Sequence, residues 1–446
     1  MEIESENYSQ APVESTQSLS LSITEKKSDR IIDKQPDEVK LKKTQPPIRP
    51  AKFFIQKRLK KIRVSHYLKE LRKLRAWIEI DHIALAHNTQ QLKNLLSPQT
   101  ALMAVVKADA YGHGSINVAK TVLANGASWL AIATVSEGVE LRKNGITEPI
   151  LLLGAAHDAW QIKKIVQCGL QPTIVDIDQA KKFQKVLNAL PKESNRPIHI
   201  LVHLKIDTGM SRLGTNWQEA VTFCKAVQEM PSMSIAGIYS HFATAENPDQ
   251  TVLREQQQRF EQVIAELRPL FDTMPLLHLA NSAGLLLDDK LHYDMVRAGL
   301  ALYGFYPDPH FRDKRTQLKP VMTLKARITQ IKKIAAGTGI SYGHRFVAPQ
   351  EMSIAIIGIG YADGVPRRLS QQLTVLIDGY KVPQVGTITM DQIILDVSKL
   401  PTVQVGDVVT LLGTEITADD WAAQLNTISW EILCGFKDRL PRIKVS

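Results

Sequence analysis

Residues 102–153 read LMAVVKADAYGHGSINVAKTVLANGASWLAIATVSEGVELRKNGITEPILLL. LMAVV (102–106), WLAIA (129–133) and ILLL (150–153) are apolar runs of strand length, and SEGVELRKNG between the last two has a helical period. That alternation predicts βαβ units and a parallel sheet. Five more runs extend the series: PTIV (172–175), IHILVHLKI (198–206), SIAGIYS (234–240), LLHLA (276–280) and MVRAGLALYG (295–304). DQAKKFQKVLNAL, NWQEAVTFCKAVQEM and LREQQQRFEQVIAELRPLF fill later gaps with helical patterns. Eight runs, starting about 20 to 40 residues apart, predict a (β/α)8 TIM barrel rather than an open doubly wound sheet. Upstream, WIEID (Trp77–Asp81) alternates like a strand and IALAHNTQQLKNLL follows with a helical period. Beyond Pro320 the helices largely vanish. VMTLKARITQIKKI, MSIAIIGIGYA, LTVLI, VPQVG, QIILDV and GDVVTLLG read as strands joined by Gly, Asp and Pro turns, with helices at ADDWAAQL and SWEILCGF. The expected α/β organisation is a leader over 1–75, a barrel over 76–318 and a β-rich C-terminal domain over 319–446.

The 446 residues are 44% hydrophobic and 22% charged, ordinary for a folded soluble chain. The longest apolar run, Ile354 to Ile359, is far short of the ~18 residues a membrane span needs. Cys168, Cys224 and Cys434 form no CxxC pair, which excludes a disulfide scaffold and a zinc ribbon and fits a reducing, cytoplasmic compartment. The net charge of +10 is unevenly placed: residues 1–75 hold 18 Lys and Arg against 10 Asp and Glu, and the rest 37 against 35. Nucleic-acid binding by the near-neutral body has no electrostatic support. Residues 1–50 are too polar to offset their ordering entropy and read as disordered. Nine acids in the first 40 residues, without an apolar h-region, argue against signal and transit peptides. Residues 51–75 mix bases with Phe53, Phe54, Ile55 and Leu59. Their imperfect period favours a solvated helix or linker over a basic amphipathic helix for anionic lipid, RNA or a partner.

In a parallel barrel, working groups sit just past the carboxyl ends of the strands. Those positions hold Lys107 to Gly114, Lys205 and Asp207 to Arg212, His241, Asn281 and Ser282, and Arg297. A lysine after an apolar strand is poorly solvated, which lowers its pKa and suits attack on an aldehyde; the plain alternative is a lysine pairing with Asp109. Gly112, Gly114, Ser282 and Gly299 offer small residues and backbone N–H groups that suit a phosphate. With neither a metal cluster nor a Walker A motif, the combination suggests pyridoxal 5'-phosphate (PLP). Arg297 can only donate hydrogen bonds, so against a pyridine nitrogen it keeps that nitrogen unprotonated; the plain alternative is a surface arginine.

AVVKADAYGHG (104–114), VHLKIDTGMSRLG (202–214), GIYSHFATAE (237–246), HLANSAG (278–284), MVRAGLALYG (295–304), SYGHRF (341–346), GYADGVPRRL (360–369) and MDQ (390–392), in this order, resemble alanine racemase. The resemblance runs from about Trp77 to Arg442 and omits the leader. It implies a PLP-dependent isomerase of fold type III acting on alanine to supply D-alanine for peptidoglycan. It also implies a head-to-tail homodimer with shared active sites, and strand 77–81 joining the C-terminal domain. By the same resemblance Lys107 carries PLP and is one acid/base group, for the D face. Tyr342 from the partner subunit is the other, for the L face, with His241 and Arg297 in series behind it. Arg297 meets the pyridine nitrogen, and Tyr111, Ser282, Gly299 and Leu300 hold the phosphate. Arg212 contacts the PLP phenolic oxygen and the substrate carboxylate, which the partner's Met390 N–H also binds. Lys205 sits where the family often carries a carbamate that orients Arg212, and Tyr361, His278 and Asp391 line or support the pocket.

Two departures stand out. The family's late SYRVPR pattern reads KDRLPR here (Lys437–Arg442), with Asp438 at the tyrosine position. A carboxylate beside a phosphate is repulsive, so Asp438 is expected to turn away. The usual arginine of the preceding motif is Thr387, expected to alter the outer entrance more than the chemistry. Rival readings are a broader or serine-preferring racemase, a fold-type-III amino-acid decarboxylase, and a non-catalytic PLP-binding protein. Arg297 and Tyr342 argue against the decarboxylase, and the second domain against the binding protein.

Overall fold

The computed structural model describes residues 73–191, 198–312 and 315–445. The readings of the leader up to Arg72 lie outside the described residues.

The chain first lays down β1 (Ala76–Asp81) and α1 (His82–Asn94). Asp81 switches one into the other, its carboxylate accepting from the Ile83 and Ala84 N–H groups as an N-cap. The barrel then alternates β2 (Ala101–Val105), α2 (Ser115–Leu123), β3 (Trp129–Ile132), α3 (Val135–Lys143), β4 (Ile150–Leu152), α4 (Ala159–Gln167), β5 (Gln171–Ile174), α5 (Ile177–Ala189), β6 (Ile200–Asp207), α6 (Ala220–Gln228), β7 (Met233–Tyr239), α7 (Thr251–Leu267), β8 (Leu276–His278), α8 (Ser282–Leu287) and β9 (Met295–Ala298). Capping boxes at Thr134 with Glu137 and at Asp158 with Gln161 start α3 and α4.

The strands neighbour one another in the order β9-β2-β3-β4-β5-β6-β7-β8, and every ladder along this path is parallel. The Asp294 N–H donates to the Leu277 carbonyl and the Arg297 N–H to the Ala280 carbonyl, both at 3.0 Å, which brings the ring nearly to closure. Both faces of such strands are covered, which is why they read as continuous apolar runs. One run is shorter than its sequence suggests. MVRAGLALYG leaves the sheet after Ala298, and Leu300–Tyr303 form a 3-10 turn ended by Gly304 at φ +91°.

The second sheet comprises β10 (Met322–Ile334), β11 (Met352–Ile357), β12 (Thr374–Ile377), β13 (Tyr380–Pro383), β14 (Ile393–Asp396), β15 (Val408–Leu412) and β16 (Arg442–Val445), with α9 (Ala418–Leu425) and α10 (Ser429–Cys434) before the last strand. Its main path is β13-β12-β15-β10-β1-β16, and β11 pairs with both β10 and β14. β1 lies antiparallel to β10 and parallel to β16, so the strand that precedes the barrel in sequence belongs to this sheet. The expected strand VPQVG is displaced: pairing covers Tyr380–Pro383 and gives way to a lone bridge between Gln384 and Leu395. The cause is the buried Gln384, whose side-chain amide donates to the carbonyls of Val385 and Gly386 and draws the backbone out of the ladder.

Candidate active site

Lys107 stands two residues past the end of β2, and the chain after it does something the sequence does not announce. Ala108, Asp109, Ala110 and Tyr111 all have φ between +51° and +54°. Four successive non-glycine residues form a left-handed turn, a conformation such residues normally visit singly. Surrounding groups hold it. Glu137 accepts from the Ala108 N–H at 2.7 Å, and Asp109 accepts from the Ser115 N–H at 2.7 Å. Asp109 is therefore engaged with the backbone, and the plain pairing with Lys107 does not form. His113 lies between the carbonyls of Ala110 and Tyr111, each 2.9 Å from Nδ1, and stacks on Tyr303 at 4.5 Å. Gly112 lets α10 approach, since a Cβ there would stand 2.6 Å from the Leu433 carbonyl oxygen.

Burial lowers the Lys107 pKa, and the Arg212 charge lowers it further. Lys205, projecting inward from β6, is more extreme: burial, then the Arg297 and Arg212 charges, bring its pKa to about 7. Its amine sits 5.1 Å from the centroid of the Tyr239 ring and donates to the Ile206 carbonyl at 3.3 Å. Arg212 rides an exposed loop pinned by Asp207, which accepts from the N–H groups of Gly209, Met210 and Ser211.

Arg297 is the centre of the interior network and not a surface arginine. Its Nη1 donates to His278 Nδ1 at 2.8 Å and to the His278 carbonyl at 3.1 Å. Its Nη2 donates to the carbonyls of Ser240 (2.7 Å) and Leu279 (2.9 Å) and to His241 Nδ1 (3.1 Å). A guanidinium has no acceptor, so both histidines must present bare Nδ1 atoms. The proton of neutral His278 is then on Nε2, 3.0 Å from His203 Nδ1. That fixes the next proton on His203 Nε2, which faces Gln171 Oε1 at 3.0 Å. Burial and the Arg297 charge push the pKa of all three histidines down, that of His203 to about 3, so the ladder stays neutral and its polarity runs one way. Likewise the proton of neutral His241 sits on Nε2, making that atom a donor.

These groups fit PLP on two structural counts. The Arg297 Nε has no protein partner among the described residues although the rest of the guanidinium is saturated, so it suits a ring-nitrogen acceptor. Gly299 lets the Tyr111 hydroxyl approach its backbone: a Cβ there would lie 2.8 Å from it. Ser282 Oγ meets the same place, accepting from the N–H of Gly299 at 2.9 Å, and Leu300 follows directly. Tyr111, Ser282 and Gly299 thus stand together, with Leu300 next in the chain.

The residues expected from the second domain lie elsewhere on the chain's surface. Tyr342 is 72% exposed and Met390 53%, with Tyr361 also exposed. Asp391 accepts from Arg439 at 2.7 Å. Asp438 is fully exposed, its nearest charge Arg442 at 3.8 Å. Thr387 is buried, and its hydroxyl donates to the Tyr342 carbonyl at 2.9 Å. A short hydroxyl reaches an adjacent backbone where a longer side chain would extend outward. His278 supports the site from behind Arg297 and does not line it. Sequence reasoning missed His203, Gln171, Glu137 and Tyr239. The available signal was alternation, since His203 and Lys205 are two apart on an interior strand and share its inner face.

The residue ranges 80–307 and 321–444 match the family models for the alanine racemase N-terminal and C-terminal domains. A curated alanine racemase from a Nostoc species (strain PCC 7120) is 58% identical over 375 residues, covering 83% of this chain and 96% of the relative. The solved alanine racemase of Clostridium difficile 630 superposes with a TM-score of 0.79 at 35% identity, covering 84% of this chain and 96% of that one. A solved alanine racemase from Bartonella henselae, described with covalently bound pyridoxal phosphate, gives 0.74 at 32%, covering 83% and 100%. With both domains matched in order over a nearly closed parallel barrel and a strand-rich partner, the chain belongs to the alanine racemase family, PLP-dependent isomerases that interconvert the two forms of alanine.

Proposed function

We propose that the chain inverts alanine by exchanging the proton on Cα across two faces, with Lys107 as carrier on the D face and the partner subunit's Tyr342 on the L face. Inversion needs two such groups, because one must remove the proton and the other return it from the far side. When bound, PLP supplies an electron-withdrawing ring that acidifies the Cα proton. The protein's residues do the rest. Lys107 holds the cofactor, and burial together with the Arg212 charge lowers its pKa, which favours the neutral amine that a proton carrier needs. A phenol with a pKa of ~10 is a poor base unaided. His241 answers this: Arg297 occupies its Nδ1, so its Nε2–H is available to donate to a phenolic oxygen and stabilise the anion.

With both Nη atoms bonded to protein, Arg297 Nε would be the donor facing the pyridine nitrogen of bound PLP and would keep that nitrogen unprotonated. Tyr111, Ser282, Gly299 and Leu300 hold the phosphate. Arg212 and the N–H of the partner's Met390 bind the substrate carboxylate. Lys205, with a pKa of about 7, has a free amine available at neutral pH to combine with carbon dioxide, and the resulting carbamate orients Arg212. Tyr361 and Asp391 border the pocket, and His278 braces Arg297. Residues 76–318 serve as the cofactor-binding barrel, and 319–446, joined by strand 77–81, as the domain that completes a neighbour's site. Exposed Tyr342, Met390 and Tyr361 on this domain suit a head-to-tail homodimer, because large aromatic side chains and methionine favour interfaces. In a cell the product is D-alanine for peptidoglycan, made in the cytoplasm. Among the described residues no helix is long and apolar enough to cross a membrane.

The observation that carries this reading is Arg297, buried, saturated on both Nη atoms and free only at Nε. The relatives and neighbours named above are alanine racemases, which does not favour a decarboxylase. The test is loss of circular dichroism on L-alanine, L-serine, L-lysine and L-arginine, with carbon dioxide release measured in parallel. Fast loss on alanine without gas supports the proposal. Preference for another amino acid gives the broader racemase, and gas release would overturn the reading.

A further inference from the structure

We infer that a reciprocal hydroxyl clasp between Ser341 and Thr387 positions the Tyr342 phenol for proton transfer, an inference that rests on reading Tyr342 as one of the two proton carriers. The Tyr342 side chain is 72% exposed, and its hydroxyl has no hydrogen-bond partner among the described residues. Within one chain, the direction of the phenol is therefore set by the backbone that carries it. That backbone is unusual. Ser341 sits at φ +63°, ψ −171°, a region essentially reserved for glycine, and Gly343 and His344 follow at φ +71° and +40°. Such a run persists only where neighbours determine it from several sides.

The neighbours are specific. Ser341 Oγ donates to the Thr387 carbonyl at 2.7 Å, and Thr387 Oγ1 donates to the Tyr342 carbonyl at 2.9 Å. Each residue thus grips the other's backbone. The close approach requires Gly386, where a Cβ would stand 2.9 Å from the Ile340 carbonyl oxygen and 3.1 Å from Ser341 Cβ. The strip bearing Thr387 is itself anchored. Gln384 Nε2 donates to the Gly386 carbonyl at 2.9 Å while Gln384 Oε1 accepts from the Gln371 N–H at 2.6 Å, and Ser370 Oγ accepts from the Ile388 N–H at 3.0 Å. Thr387 is 2% exposed, so water does not compete for its hydroxyl. Lys107 stands on a different segment with its own supports, Glu137 and Asp109. Loosening the clasp should therefore handicap one face of the reaction and spare the other, since proton transfer depends steeply on donor–acceptor placement.

The experiment uses the full-length holoenzyme in D2O. Deuterium entry at Cα is followed separately from L-alanine and from D-alanine, in recovered substrate of unchanged handedness. Thr387→Val keeps shape and removes the hydroxyl. It should slow exchange from L-alanine about tenfold and leave exchange from D-alanine within about twofold, with a modest fall in melting temperature from the one hydrogen bond lost. Thr387→Ser keeps the donor and should restore exchange from L-alanine. Equal losses on both faces, no loss on either, or failure of serine to rescue would each overturn the clasp. Tyr342→Phe separates the two layers. If it is selective for the L face while Thr387→Val is not, the clasp alone falls. If Tyr342→Phe suppresses both faces equally, the two-carrier reading falls and the clasp with it.

Discussion

The barrel rim and the Tyr342 turn are opposite kinds of half-site. On the rim, both Nη atoms of Arg297 are tied: five hydrogen bonds leave them, and His278 and His203 behind them have their protons fixed as far as Gln171. The Tyr342 turn has a braced backbone but an unsupported side chain. The first half is complete within one chain. The second is built to be finished by something else, and in the proposed dimer that something is the rim of another copy. One half is preorganised by burial, the other by backbone geometry.

The contrast can be broken most severely at Lys107. Lys107→Ala should abolish the visible absorbance of the holoenzyme and cut racemisation by at least ~10³-fold; retention of both after borohydride treatment would unseat the cofactor assignment. Next comes Tyr342→Phe, expected to slow removal of the Cα proton from L-alanine ~10²- to 10⁴-fold with little change in melting, because its side chain is exposed and its hydroxyl has no hydrogen-bond partner among the described residues. Arg297→Gln should do the reverse structurally. It leaves buried carbonyls and histidine nitrogens without donors, at about 1–3 kcal/mol each, so melting should fall markedly, read by calorimetry. If Arg297→Gln melts like the parent, the rim is less interdependent than its bonds imply.

A gentler probe is pH. With its pKa lowered to about 7, Lys205 is mostly uncharged at pH 8 and mostly protonated at pH 6. Only the uncharged amine combines with carbon dioxide, so labelling from ¹³C-bicarbonate, read by NMR, should drop as pH falls through 7. The same lowering has a sign for stability: between pH 7 and the unfolded value of about 10.4 the unfolded chain binds more protons, so the uncarbamylated protein should gain stability as pH rises through that window. Labelling that is flat from pH 6 to 8 would mean that Lys205 is not the reacting amine.

Much of this was readable beforehand, and the unread parts share a cause. Apolar runs gave the barrel because strands buried on both faces have no other way to look. Lys107 and Arg297 were legible because a charged residue at the end of an apolar strand is conspicuous. His203, Gln171 and Tyr239 were not, since each looks like an ordinary strand residue until the inner face of the barrel brings them together. Nothing in Ala-Asp-Ala-Tyr signals a left-handed turn, because local preference runs against it and tertiary contacts prevail. Thr387 was read by what its position lacks and not by what its hydroxyl reaches.

The tail of the chain has a governing role that its distance in sequence conceals. The carbonyl of Leu433 lies against Gly112, and Arg442 donates from Nε to the Gly112 carbonyl at 3.2 Å. The wrong-handed turn beside Lys107 is thus wedged in place by residues synthesised more than three hundred positions later. A ribosome that has finished the barrel has not yet finished its lysine. The turn that follows the amine is thus braced by the last helix and strand, and a barrel cut loose from them would lose both supports.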